Sequence, residues 1–129
     1  MYKVVSAEEA VKVIKSNDRV YVQAAAAAPQ LLTKAMSDRY EELRNVEVCH
    51  LHVEGAAPYA NPDLKDSFHV NSFFIGSNVR HTLAAGNGSY TPVFLSELPL
   101  LFKRNILSLD VALIHVSIPD KHGYCSLGV

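Results

Sequence analysis

Apolar residues recur along the chain in two alternating patterns, one typical of short helices and the other of buried strands. Ser6 and Glu9 form a capping box ahead of apolar positions at helical spacing, which predicts a first helix that begins at Ala7 and ends before Asn17. Pro29 suits the first turn of a second helix, because no amide hydrogen bond is needed there. The same spacing predicts helices over residues 7–15, 29–40, 61–68, 77–86 and 96–102.

Short apolar segments between these helices predict strands. They fall at residues 20–22, 46–51, 70–75, 92–94 and 110–116. The segment from Asp110 to Val116 carries the strongest strand signal, and its nearly continuous apolar character is typical of a central strand covered on both faces. Strands that alternate with helices of about ten residues favour βαβ units. The predicted fold class is therefore α/β, with an open, mainly parallel sheet and helices on both faces.

Composition narrows the function classes. The 129 residues are the size of one domain, and the 49% apolar and 19% charged shares exclude general disorder. A net charge of −1 without a basic cluster argues against nucleic-acid binding. No apolar run approaches the ~18 residues of a membrane span, so no membrane association is expected. The two cysteines form no disulfide framework, which favours a cytoplasmic location.

Ligands of open parallel sheets bind at the carboxyl ends of the strands, which directs attention to the loops 23–28, 86–92 and 117–123. The first of these loops contains Gln23 and five alanines, Ala26 and Ala27 among them, ahead of a helix N-terminus. Such small residues let a ligand approach the backbone and the free amides of the helix. The alternative is that the alanines only allow tight packing of strand against helix.

The second loop offers flexible backbone and neutral hydrogen-bonding groups, which suit a polar organic ligand. Its candidate residues are Gly86, Asn87, Gly88, Ser89 and Tyr90. The G-x-G spacing lacks the third glycine of a dinucleotide-binding fingerprint, so a Rossmann cofactor loop is excluded. A helix C-cap followed by a turn explains the same residues equally well.

Metal and nucleophile patterns are weak. His50 and His52 share one face of a predicted strand, but no further ligand recurs at zinc spacing, so no metal site is predicted. Cys125 and His122 lack an orienting acid, because Asp120 more naturally caps its own turn. Glu54 is the only carboxylate in an apolar loop; it is either a functional acid or a solvated loop charge.

The order of these motifs resembles the N-terminal part of the acetyl-CoA hydrolase/transferase family, and within it the 4-hydroxybutyrate or butyrate/acetate CoA-transferases. The resemblance runs through the strand 20–22 with the small-residue loop and Pro29-Gln30, then 76–80, 86–94, 97–99, 110–112 and 116–129. It covers essentially the whole chain. One departure is Ala27, at a position where the family often has glycine.

The resemblance implies a ping-pong enzyme built from two similar α/β domains with the active site between them. A glutamate of the second domain attacks the acyl-CoA thioester, and no cofactor is permanently bound, because coenzyme A enters as a substrate thioester. The implied partners are an acyl-CoA and a short-chain carboxylate, with a homo-oligomer as the full-length form. Residues 1–129 are then the N-terminal domain without the catalytic half, inactive alone, with no catalytic residue of its own.

The implied role of this chain is to form one wall of the acyl and CoA pocket, with Gln23, Ala26, Ala27 and the residues 86–90 facing the missing domain. Asn78 and Arg80 follow a strand's carboxyl end and are further candidates; Arg80 meets a carboxylate or a CoA phosphate, or is merely solvated. The apolar ending at Gly128-Val129 suggests a cut chain. The alternatives are a stand-alone module that binds CoA or a carboxylate, and a subunit of a two-chain transferase. The sequence does not distinguish a transferase from a hydrolase.

Overall fold

A parallel sheet with the strand order β4-β3-β2-β1-β5 organises the computed structural model, which describes residues 2–127. The strands are β1 Arg19–Val22, β2 Val46–His50, β3 Phe68–Ser72, β4 Gly88–Tyr90 and β5 Val111–Leu113. The helices are α1 Ala7–Ala10, α2 Gln30–Ser37, α3 His81–Ala85 and α4 Leu98–Lys103, with 3₁₀ turns at Val11–Val13, Pro58–Ala60 and Pro62–Leu64. Every pair of neighbouring strands within residues 2–127 is parallel.

Alternate residues of the strands face opposite layers. On one face Val20 and Val48 pack with Met36 of α2 and with Ile14, which follows the first 3₁₀ turn in the chain; all four are without solvent exposure. On the other face Tyr21 of β1, Cys49 of β2 and Phe73, directly after β3, pack against α4. The Phe102 ring of α4 meets the rings of Tyr21 and Phe73 edge-on at centroid distances of 5.9 and 6.1 Å. The prediction of an α/β fold with helices on both faces of a parallel sheet is confirmed.

The strand order explains why α4 lies on the opposite face. The chain steps outward from β1 through β2 and β3 to β4, and then returns across the sheet to place β5 on the other side of β1. Because parallel crossovers are right-handed, reversing the direction of the step puts the connecting helix on the other face. The reversal also creates a topological switch point between β1 and β5.

Several predicted boundaries were wrong. The helix predicted over 61–68 is only the 3₁₀ turn Pro62–Leu64, because the Asn61 side chain caps the Asp63 amide at 3.0 Å and the chain enters β3 at Phe68. Helix α2 ends at Ser37, and the segment predicted as helical from 77 becomes α-helical only at His81.

The predictions for the two outer strands also fail. The segment 110–116 contributes only Val111–Leu113 to the sheet, and this strand lies at an edge of the five, beside β1, within residues 2–127. Residues 114–116 leave the ladder and line a cleft instead. The strand predicted at 92–94 lies at Gly88–Tyr90, ahead of Pro92, which has no amide proton for a ladder bond.

Candidate functional site

The carboxyl ends of β1 and β5 flank a cleft at the topological switch point, where ligands of open α/β sheets bind. This switch-point cleft has a volume of about 470 Å³. One wall comes from the β1–α2 connection and the first turn of α2, and the other from the residues after β5. The lining residues are Ala26, Ala28, Pro29, Gln30, Leu31, Leu32, Ile114, His115 and Val116.

Gln23 joins the two walls. Its backbone amide donates to the Leu113 carbonyl at 3.1 Å, and its side-chain Oε1 accepts from the His115 amide at 2.6 Å. The side-chain carbonyl is therefore committed to the opposite wall. Gln23 was predicted to bind substrate; in the structure its side chain holds the two walls of the cleft together.

The β1–α2 loop is a tight turn whose strained residue is Ala25. Ala25 has φ +53°, in the left-handed region that glycine normally occupies. Its amide donates to the His52 carbonyl at 2.8 Å, and its carbonyl accepts from Ala28 at 3.2 Å. Of the two predicted residues, Ala26 is exposed on the cleft and Ala27 is half-buried with negative φ. The left-handed position of this loop is therefore Ala25 and not Ala27.

A second cleft, of about 600 Å³, lies at the carboxyl ends of β3 and β4. We call it the aromatic cleft; it is lined by Phe74, Tyr90, Pro92, Val93, Phe94, Leu95, Glu97 and Leu101. Tyr90 is half-exposed there. The surroundings are mainly apolar and aromatic, with the Glu97 side chain as the acidic group.

The remaining residues predicted in the 86–92 loop do not share that edge. Gly86, at φ +81°, is the left-handed C-cap of α3, and Asn87 is buried with both side-chain amide atoms unpartnered. Gly88 begins β4, and a side chain is excluded there because a Cβ would lie 2.1 Å from Thr82 Oγ1. Ser89 accepts or donates a 3.0 Å hydrogen bond with His69. Gly86 and Asn87 therefore lie at the amino end of β4, away from both clefts, and the prediction of one carboxyl-end loop is wrong.

Asn78 and Arg80 differ in their surroundings. Asn78 Nδ2 donates to the carbonyl oxygens of Val53 and Gly55, both at 3.0 Å, so this side chain braces the loop after β2. The Arg80 side chain is exposed just ahead of α3. The structure brings Asn78, but not Arg80, into a defined contact.

Buried titratable groups do not point to acid–base chemistry. Burial lowers the pKa of His50 to about 4, against a weaker opposing hydrogen bond with Leu51, and its Nε2 has no partner. Burial raises the pKa of the Cys49 thiol to about 12, so it is not a thiolate nucleophile. Asp120 caps its turn through the amides of His122 and Tyr124, as predicted. Residues 2–127 hold no cluster of three or more His, Cys, Asp or Glu side chains that fits a metal ion.

A polar network across the α4 face of the sheet was missed by the sequence analysis. Glu47 accepts from Arg19 and from Asn71, each at 2.8 Å, and Thr91 donates to Asn71 Oδ1 at 2.8 Å. Burial opposes ionisation of Glu47, but the hydrogen bonds from Arg19 and Asn71 outweigh it and lower its pKa. The Arg19 amide also donates to Asp110 at 2.8 Å, so the network runs across β1, β2 and β3 and reaches Thr91, directly after β4, and Asp110, directly before β5. A charged residue in alternation with Val46 and Val48 was the available signal.

Comparisons with known proteins agree on a single family. Residues 1–129 match the family model of the acetyl-CoA hydrolase/transferase N-terminal domain. The chain is 43% identical over 117 residues to the succinyl-CoA:acetate/propanoyl-CoA:succinate CoA transferase of Fasciola hepatica. This alignment covers 89% of this chain and 24% of the relative. It is 39% identical over 127 residues to the 4-hydroxybutyrate coenzyme A transferase of Clostridium kluyveri, and this alignment covers 98% of this chain and 30% of the relative.

Solved structures give the same picture. RipA from Yersinia pestis superposes with a TM-score of 0.87 at 26% identity, over 98% of this chain and 32% of that one. The 4-hydroxybutyrate CoA-transferase from Porphyromonas gingivalis has a TM-score of 0.75 at 33% identity, over 98% and 28%. The chain thus spans about a quarter to a third of the length of the proteins it matches. No helix within residues 2–127 is both long and apolar enough to cross a membrane.

Proposed function

The chain belongs to the acetyl-CoA hydrolase/transferase family, and we propose that residues 1–129 are the N-terminal domain of a CoA-transferase and form one wall of its acyl-CoA and carboxylate site. The observation that supports this most is the switch-point cleft between β1 and β5. Its position fits the general rule for ligand sites in open α/β sheets. The relatives are described as CoA-transferases for acetate, propanoyl, succinyl and 4-hydroxybutyrate groups.

The chemistry of the cleft suits a short acyl group with a polar end. Alanine, proline, leucine, isoleucine and valine side chains form most of its lining, which favours an aliphatic chain. The first turn of α2 also borders it, and amides in a first helical turn have no partner within the helix. These amides and the positive end of the helix favour a carboxylate or a thioester oxygen.

The proposed reaction uses a glutamate from outside this chain. That carboxylate attacks the thioester carbonyl and expels the CoA thiolate, which leaves an acyl-glutamyl anhydride. The thiolate then attacks the glutamyl carbonyl and releases the original acid, so that CoA is held as a glutamyl thioester. The acceptor carboxylate reverses these two steps and leaves as the new acyl-CoA. The residues that line the switch-point cleft bind and orient the acyl group. The 129-residue chain alone is inactive, because it lacks this glutamate.

An exchange assay tests the proposal on the protein expressed with its reading frame continued beyond Val129. We expect transfer of CoA from butyryl-CoA to acetate by the longer protein and none by the 129-residue chain. Ala26→Phe fills the switch-point cleft, and we expect it to lower transfer by about tenfold or more. Ala84→Phe, on exposed α3 surface away from the cleft, is the matched control and should retain activity. Absence of transfer by the longer protein would refute the transferase assignment, and water as the only acceptor would make it a hydrolase.

A further inference from the structure

The loop that follows the middle strand β2 is held by side-chain amides from both sides. Asn78 Nδ2 donates to the carbonyls of Val53 and Gly55, each at 3.0 Å, and Gln30 Nε2 donates to the intervening carbonyl of Glu54 at 2.7 Å. Three consecutive carbonyl groups thus accept from two side chains, one from α2 and the other ahead of α3. We call Gln30 and Asn78 the carbonyl clamp.

The backbone on both sides is shaped to admit the clamp. A Cβ at Gly55 would lie 2.9 Å from Gln30 Nε2, and a Cβ at Gly76 would lie 2.8 Å from Asn78 Oδ1. The Glu54 amide donates to the carbonyl of left-handed Ala25 at 3.2 Å, which ties the loop to the turn that borders the switch-point cleft. Glycine at positions 55 and 76 therefore leaves room for the two side chains, and the carbonyl of Ala25 holds the loop against the turn.

Stability alone does not account for this arrangement. The Gln30 bond and one Asn78 bond are exposed, and water would satisfy those carbonyl groups equally well. Fixing two such side chains also costs conformational entropy. The loop holds Glu54 and His52, which are 68% and 47% exposed, with Oε1 and Nε2 3.9 Å apart. An exposed pair at that distance contributes little to folding.

We infer that Gln30 and Asn78 are positioning residues: they hold the loop 53–55 against the turn that borders the switch-point cleft, so that His52 and Glu54, both bonded to Ala25 of this turn, fix where a carboxylate or thioester substrate lies. Gln30 supplies the link, because it both lines the cleft and binds the Glu54 carbonyl. The inference rests on the proposed function for the identity of the substrate. The clamp itself is independent of it.

Hydrogen exchange of the Glu54 amide tests the clamp in the 129-residue chain. Asn78→Ala removes two hydrogen bonds and Gln30→Ala removes one, and we expect exchange to accelerate about tenfold and about fivefold, respectively. Val46→Ala, which opens a cavity at the buried amino end of β2, is the control for general destabilisation and should leave the Glu54 rate unchanged relative to its neighbours. Unchanged exchange in the clamp variants, or equal acceleration in the control, overturns the clamp.

Kinetics of the longer protein test the positioning role. Asn78→Asp keeps the side-chain size and removes the donors, and with Gln30→Ala it should raise KM for the acceptor carboxylate about tenfold while kcat changes less than about threefold. A merely structural role would lower the amount of active enzyme and leave KM unchanged, as expected for Val46→Ala. Faster exchange with an unchanged KM overturns the positioning role. A wild-type protein that transfers no CoA refutes the proposed function, and the exchange experiment still decides on the clamp.

Discussion

His50 should make the folded chain sensitive to mild acid. The imidazole is fully buried at the end of β2, and its Nε2 has no hydrogen-bond partner. Burial places its pKa at about 4 in the folded chain, below the ordinary value of 6.5. Between these values the unfolded chain binds a proton that the folded chain refuses, so the stabilising contribution is present above 6.5 and is lost as the pH falls.

The size of the effect follows from the two pKa values. Between about pH 7 and about pH 5 the free energy of unfolding should fall by about 2 kcal/mol, and by about 3 kcal/mol once the pH is below the folded value. Glu47 acts in the same direction, because its lowered pKa gives stability that is lost as the pH falls, but only below its ordinary value of 4.5. Measurements above about pH 5 therefore isolate the histidine.

Urea unfolding followed by far-ultraviolet circular dichroism across this pH range is the assay. His50→Met fills the same buried space with an apolar side chain and removes the titrating group, so the pH dependence should disappear. Stability near neutral pH should change by no more than about 1 kcal/mol, since the variant also removes an unpartnered polar atom. His122→Gln, in an exposed turn, should retain the full dependence. A His50→Met protein with an unchanged slope would refute the argument from burial.

Three further substitutions test other parts of the fold by chemical unfolding. Gly88→Ala places a Cβ 2.1 Å from Thr82 Oγ1 and should destabilise the chain by about 2–3 kcal/mol or prevent folding; adding Thr82→Ala should recover part of the loss. Ala25→Gly relieves the left-handed backbone at φ +53° and should raise stability by about 0.5–1 kcal/mol. Glu47→Gln leaves the partly buried Arg19 guanidinium without its 2.8 Å carboxylate and should cost about 2 kcal/mol; a loss below about 0.5 kcal/mol would contradict the network's importance.

Local chemistry made much of the fold predictable. The Ser6 hydroxyl accepts from the Glu9 amide at 3.3 Å as the capping box requires, and Gly86 ends α3 in the left-handed conformation. Strand β2 begins at the predicted residue, because Val46 and Val48 are buried against the helices. Such signals depend on neighbours within about four residues, which the sequence displays directly.

Long-range pairing limited the rest. The apolar run after Asp110 does not reveal how many strands flank it, so the edge position of β5 had no sequence signal. The Gly88–Tyr90 strand has only three residues and no apolar alternation. Gln23 and Asn78 were found as site candidates by their loops, yet the partners that define their roles lie 92 and 23–25 residues away. Residue type identified the region, and only the tertiary structure identifies the contact.

The distance along the chain between β1 and β5 sets the order in which the sheet of residues 2–127 forms. The hydrogen bonds that join these two strands at their opposite ends, from the Arg19 amide to Asp110 and from the His115 amide to Gln23, close loops of 91 and 92 residues. Contacts between β1, β2, β3 and β4 close shorter loops and carry a smaller entropic cost. During synthesis we therefore expect the four-strand unit to form before β5 joins it, and the β1 edge stays open until β5 emerges. Until then that edge is exposed to chaperones and to strand pairing with other chains.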